Sequence, residues 1–268
     1  MTNTRTICAI ALAILAPLMA RTSQAQEFAA AISPPRFELD IKPGDRTRQV
    51  IEISNASAQA STYKVYTTDW DLGPDGGVTF RNEIDEQSCR PWAALERREI
   101  TVPAGGRYRF RFEVQAPADT PARECRFAVM IEGGEQMART EAGLNIPISG
   151  RIGVIVYANV GGAQPKLQVL GAQVQDVNGQ KVPVLQVENV GTAHGRLDGF
   201  LTGTDARGRR LEFSPSTLPI LPLETRAITL TASDRPGSTV EVAYPVRISG
   251  VLESGPSNRL EIDQLFGQ

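Results

Sequence analysis

Residues 107–114 alternate without a break. Tyr108, Phe110, Phe112 and Val114 share one parity; Arg107, Arg109, Arg111 and Glu113 share the other. Successive side chains of a strand point to opposite faces, so such a segment is a strand with one face in a core and one in water. The pattern recurs at Phe37, Leu39 and Ile41, at Ile51 and Ile53, at Tyr63 and Val65, and at Phe127, Val129 and Ile131. Turn-forming clusters separate these runs: Lys42-Pro43-Gly44-Asp45, Gly73-Pro74-Asp75-Gly76-Gly77, Pro103-Ala104-Gly105-Gly106 and Gly133-Gly134. Many short alternating runs predict an all-β sandwich or barrel. Residues 91–99 have room for one helical turn at most.

A chain of 268 residues can hold one large domain or two ordinary ones. Its longest alternation is residues 144–157, LNIPISGRIGVIVY, in which Leu144, Ile146, Ile148, Ile152, Val154 and Val156 share a parity. The sequence predicts one long strand there. Pro147 has no N–H to give a ladder and predicts an edge position over part of it. The glycine- and proline-containing stretch 158–165 then marks a boundary, with domains at 26–160 and 161–268. Beyond it, Asn178-Gly179 is a strong hairpin signal between apolar runs. Further strands are expected at 184–187, 197–201, 211–213, 228–230 and 240–248, so the second unit is all-β too.

Arg5, the apolar run Ile7–Met19 and the small residues of Ser23-Gln24-Ala25 have the form of an export signal cleaved after Ala25. The run is too short to span a bilayer. Its removal takes Cys8 and leaves Cys89 and Cys125. An even count in an oxidising compartment predicts a disulfide; two separate buried thiols are the alternative.

Chemistry is sparse. His194 is the only histidine, which leaves no zinc set and no histidine-based triad. Ser61-Thr62-Tyr63-Lys64 has the spacing of a Ser–Lys nucleophile pair, but on a strand residues three apart face opposite sides. Asp69, Asp71 and Asp75 lack the terminal glutamate of a calcium loop. The formal net charge of −2 gives no electrostatic footprint for nucleic acid. Neither an enzyme nor a bound metal or cofactor is expected.

Three segments sharpen this outline. Ile32-Ser33-Pro34-Pro35-Arg36-Phe37-Glu38-Leu39 leads through Pro43-Gly44-Asp45 to Val50-Ile51-Glu52-Ile53-Ser54-Asn55. Residues 95–114 are followed by Ala116-Pro117-Ala118-Asp119-Thr120. The alternating strand 144–157 runs straight into a second sandwich, which carries Glu188-Asn189-Val190-Gly191-Thr192-Ala193-His194 and Leu218-Pro219-Ile220-Leu221-Pro222. Their order and spacing resemble the PapD-like periplasmic pilus (fimbrial) assembly chaperones.

That resemblance implies two immunoglobulin-like β-sandwich domains in an L-shaped arrangement, located in the periplasm. It implies that the chain stabilises pilus subunits by lending them a β-strand and delivers them to an outer-membrane usher. A subunit lacking its last strand exposes an apolar groove and unpaired edge amides, and a lent strand satisfies both. On the pattern of the family, Leu144, Ile146 and Ile148 form the inserted face, while Ile152, Val154 and Val156 belong to the chain's own core. Glu132–Gly143 is the loop feeding the strand. Arg36 matches the first-strand cation that anchors the subunit's terminal carboxylate. Arg151 is the candidate for the second cation, although it falls about two residues early and replaces a lysine. The pattern does not require Cys89 and Cys125, so that pair is read as structural. An apolar edge is also compatible with self-capping as a homodimer. The alternative is an exported two-domain β-sandwich scaffold or adhesive module with no client.

Overall fold

The computed structural model describes residues 29–85, 88–139, 143–255 and 258–267; the expected export signal lies outside them. Among the described residues the first half contains twelve strands. They are β1 (Ala30–Ser33), β2 (Arg36–Ile41), β3 (Arg46–Asn55), β4 (Ser61–Leu72), β5 (Val78–Arg81) and β6 (Ala93–Leu95), then β7 (Glu99–Val102), β8 (Arg107–Gln115), β9 (Arg123–Gly133), β10 (Gln136–Arg139), β11 (Asn145–Ile148) and β12 (Arg151–Val160). One sheet runs β1-β3-β8-β6. The other runs β2-β12-β9-β4-β5, with β7 also on β4. Their inner faces carry the residues whose alternation marked them as strands. Ile51, Ile53, Phe110 and Phe112 meet Tyr63, Val65, Phe127, Val129, Ile131, Val154 and Val156 in one core. Each such side chain, fully buried, contributes on the order of 1.5–3 kcal/mol.

The second half folds as β13 (Leu167–Val177), β14 (Gln180–Asn189), β15 (Leu201–Thr204), β16 (Arg210–Pro215), β17 (Thr225–Ser233), β18 (Val246–Ser254) and β19 (Asn258–Phe266). These make one path, β13-β14-β17-β16-β15-β18-β19. It curls until its ends meet, where the Leu167 N–H donates to Asn258 Oδ1 at 2.8 Å. A separate core fills it, built on Leu185, Val187, Phe213, Ile228, Leu230, Ile248 and Phe266. Asn178 and Gly179 take φ of 53° and 79°. Both lie in the left-handed region that a two-residue hairpin turn needs.

Four sequence expectations need correction; one is the strand expected at 240–248, which begins only at Val246, after Pro245, which has no N–H for a ladder. The segment 144–157 is not one strand. Leu144 precedes β11, and Ser149-Gly150 separates β11 from β12. The cause lies in the partner strands: β12 pairs with β9 and β11 with β10, and those two are themselves broken at Gly134-Glu135. The Gly133 N–H donates to the Gly150 carbonyl at 3.0 Å, which closes the first ladder there. Glu132–Gly143 is consequently not a plain loop, since it contains the end of β9 and all of β10. Lastly, the strand expected from Leu197 begins only at Leu201. Gly199 adopts φ of 108°, and the Asp198 carboxylate accepts the Gly199 N–H at 2.7 Å, so the chain turns before it pairs.

Candidate functional site

On the β2-β12-β9-β4 sheet, the parity opposite the core faces the second half of the chain. It presents Arg36 and Glu38 from β2, Tyr157 from β12, Glu124, Arg126, Ala128 and Met130 from β9, and Trp70 from β4. Trp70, Ala128, Met130 and Tyr157 form a small apolar cluster with Leu221 of the second half. Around it the two halves exchange polar contacts. The Glu124 N–H donates to the Thr192 carbonyl at 2.8 Å. Arg226, whose side chain is 2% exposed, donates to the carbonyls of Gly73 at 2.9 Å and Pro74 at 3.3 Å.

A group of charged residues sits beside Tyr157. Glu124 accepts the His194 backbone N–H at 2.9 Å and also meets Nδ1 of the His194 ring. Arg196 donates to His194 Nε2 at 2.7 Å. An arginine can only donate, so Nε2 accepts and Nδ1 bears the proton given to Glu124. Tyr157 stacks on His194 with ring centroids 3.9 Å apart. The Arg196 guanidinium lies 5.6 Å from the centre of the same tyrosine ring. Burial pushes the Tyr157 hydroxyl above its ordinary range, outweighing the nearby arginines. Glu38 closes the group. Its Oε1 lies 3.0 Å from Arg36 Nε and 2.9 Å from Arg196 Nη1.

Arg36 thus stands on the cleft face, with its side chain 51% exposed. Arg151 shares that face, but the structure does not bring the two together. Arg36 sits opposite Ile155, whereas Arg151 sits four positions earlier on β12, opposite Glu132. That is a separation of about 13 Å along the strand. Arg151 lies by Tyr66, whose hydroxyl donates to Glu132 at 2.6 Å. Arg36 leans the other way, toward Glu38.

The residues expected to enter a subunit groove lie on or just before the β10–β11 hairpin. Leu144 is 65% exposed and Ile146 43%, and neither belongs to a core cluster. Ile148 ends β11. By contrast Val154 and Val156 are fully buried in the first core. Strand β2 joins β12 only from Ile155 onward. Among the described residues, Arg151–Val154 pair on the β9 side alone, and β11 pairs only with β10. An edge therefore runs open from Asn145 to Val154.

Cys89 and Cys125 are bonded, with Cα atoms 5.9 Å apart. The bond fastens the single-turn segment Arg90–Trp92 to the start of β9. Cys125 points into the core and Glu124, its neighbour, points toward the second half of the chain, so the staple also fixes the strand that carries the buried carboxylate.

Sequence reasoning missed Glu38, Glu124, His194 and Arg196 as a group. The one available signal was parity, which places Glu38 on the face of Arg36.

No protein-family model and no curated protein sequence matches the chain. Solved structures of fimbrial chaperones are similar to it. The class 5 fimbriae chaperone CfaA is 14% identical, over 89% of this chain and 99% of that one, with a TM-score of 0.46. The SafB chaperone in complex with the Salmonella enterica SafA pilin is 14% identical, over 88% and 97%, with a TM-score of 0.44. The E. coli chaperone DraB is 13% identical, over 88% and 99%, with a TM-score of 0.43.

Proposed function

We propose that the protein is an ATP-independent periplasmic chaperone, not an enzyme, that caps pilus subunits by lending them a strand and passes them to an outer-membrane usher. The observation that carries this reading is the open edge from Asn145 to Val154 with Leu144 and Ile146 exposed beside it. A sandwich domain with no use for such an edge blunts it with charge or covers it. Here the exposed positions are aliphatic and alternate, which is the form that fits a row of pockets in a groove. Leu144, Ile146 and Ile148 are the inserted face, Ile148 by its parity in the sequence. Arg36 is one of two cations that grip the subunit's terminal carboxylate. Residues 26–160 and 161–268 are the two domains that form the cleft.

The test is affinity capture from the periplasm of cells producing the surface fibre, with the retained protein identified by mass spectrometry. Wild type should retain a small β-rich subunit. Ile146→Asp places a charge in an apolar pocket and should lose more than about tenfold of it. Arg36→Ala removes charge-assisted hydrogen bonds and should lose about tenfold. Equal retention by both variants overturns the reading.

A further inference from the structure

The hairpin of β4 and β5 is held at one point and holds at another. Its turn is gripped by the second half of the chain. Arg226 on β17, buried to 2% exposure, donates to the carbonyls of Gly73 and Pro74. Leu218 closes on the same turn, since a Cβ at Gly76 would stand 2.7 Å from Leu218 Cδ2. Just past the turn comes Phe80, opposite Trp70 in the β4–β5 ladder. It packs on the cluster of Trp70, Met130 and Tyr157 and lays its ring against β12. A Cβ on Gly153 would stand 2.5 Å from Phe80 Cζ and 2.8 Å from Phe80 Cε1. The ring lies there only because residue 153 has no side chain.

Gly153 stands in the stretch that most needs such a cover. Arg151–Val154 pair with β9 and, among the described residues, with nothing on the other side, because β2 joins only at Ile155. Backbone hydrogen bonds on an exposed, singly paired stretch open readily. A glycine weakens the stretch further, having no side chain to pack. An aromatic ring laid over a strand glycine supplies the missing contact. Phe80 covers a face of β12 and not its edge, so the backbone groups turned away from β9 stay open to a partner strand.

We infer that Phe80 is a positioning residue for the lending edge, and that the second half of the chain steadies that edge through the β4–β5 hairpin. What the edge is for rests on the chaperone reading. Arg226 and Leu218 fix the turn, the turn fixes β5, and Phe80 fixes the head of β12. Each link is a direct contact, so a disturbance at the domain junction is felt at residues 151–154.

The test is amide hydrogen exchange on the full chain without client, read at the amides of 151–154 that bond to β9. Phe80→Ala should speed their exchange about tenfold, and Phe80→Met, which keeps the apolar reach, should stay within about twofold of wild type. Gly153→Ala should act like Phe80→Ala, because its methyl displaces the ring, and the two together should give no more than Phe80→Ala alone. Arg226→Lys keeps a charge beside Glu224 but loses the planar fork that reaches both carbonyls; it should speed exchange about threefold, and add nothing once Phe80 is alanine. Wild-type exchange in β14 and β17 establishes that each variant is folded. Capture of the client should fall about fivefold with Phe80→Ala and return with Phe80→Met. Unchanged exchange at 151–154 in Phe80→Ala, or additive effects in either double variant, would overturn the assignment. So would faster exchange with undiminished capture, since the edge would then need no steadying. The strand-lending reading fails on different evidence, namely equal client capture by wild type and Ile146→Asp.

Discussion

Glu124 on β9 holds His194 of the second domain at two points, through the backbone N–H at 2.9 Å and through ring Nδ1. The Glu124 side chain is fully buried, and among the described residues only Arg126, at 3.8 Å from its second oxygen, brings an opposite charge close to it. A buried carboxylate of this kind is stable only while its partners stay in place. Glu124→Ala should therefore lower the unfolding free energy by about 2–4 kcal/mol and loosen the angle between the domains. Urea unfolding measures the first effect and small-angle scattering the second. Wild-type values for both would mean that the contact does not set the interdomain geometry.

The Cys89–Cys125 bond closes a segment 36 residues apart in sequence. In the chain-entropy account, replacing both with Ser should cost about 3–4 kcal/mol. Denaturant midpoints should fall for the double variant and for reduced wild type alike. A reduced protein that unfolds at the oxidised midpoint would show that the bond adds nothing.

Gly191 lies where the joint between the domains turns back on the second one. A Cβ there would stand 2.4 Å from Lys166 N, 2.5 Å from Gln164 O and 2.7 Å from Pro165 C. All three are backbone atoms and cannot rotate away. Gly191→Ala should cost more than about 2 kcal/mol. Gly171 is the control, with nothing within 4 Å of its would-be Cβ, and its alanine variant should stay within about 0.5 kcal/mol of wild type. Equal thermal midpoints for the two variants would contradict the packing described.

Asp205 gives a prediction in pH. Burial pushes its carboxyl up, but hydrogen bonds from the Arg209 guanidinium and from the backbone N–H groups of Arg209 and Ala243 outweigh that, and the net direction is down. A carboxyl whose folded value is depressed contributes stability that is present above its unfolded value, about 3.9. That contribution is lost as pH falls through the lower folded value. Asp205→Asn should thus be less stable than wild type at neutral pH, and the gap should narrow below about pH 4. A gap that stays constant down to acid pH would remove Asp205 as the cause.

Much of this fold is legible in the sequence because its physics is local. Tyr108, Phe110, Phe112 and Val114 had to share a face, and they do. Asn178-Gly179 carried its own turn. Alternation also separated Val154 and Val156, which fill the core, from the outward residues of the same strand. What escaped was set by partners distant in the chain. Nothing near Ser149-Gly150 announces a break as strongly as Gly134-Glu135 in the opposing strands imposes one. Leu197 satisfied the apolar pattern of a strand, yet Gly199 turned the chain before it could pair. The cleft group was illegible for the same reason. Glu38, Glu124, Tyr157, His194 and Arg196 come from four separate segments, and no motif joins them. A lone His194 in a loop gave no sign that it would be buried between two domains.

The claim that this chain lends a strand is tested most directly by amide hydrogen exchange on the protein alone and with its captured subunit. Residues 145–154 are the stretch to watch. In the free protein their outward amides should exchange quickly, because β11 and the head of β12 pair on one side only. In the complex the same amides should be protected by at least about a hundredfold, as befits a strand newly paired on its second edge. Unchanged exchange across 145–154, with protection appearing elsewhere on the molecule, would contradict the account.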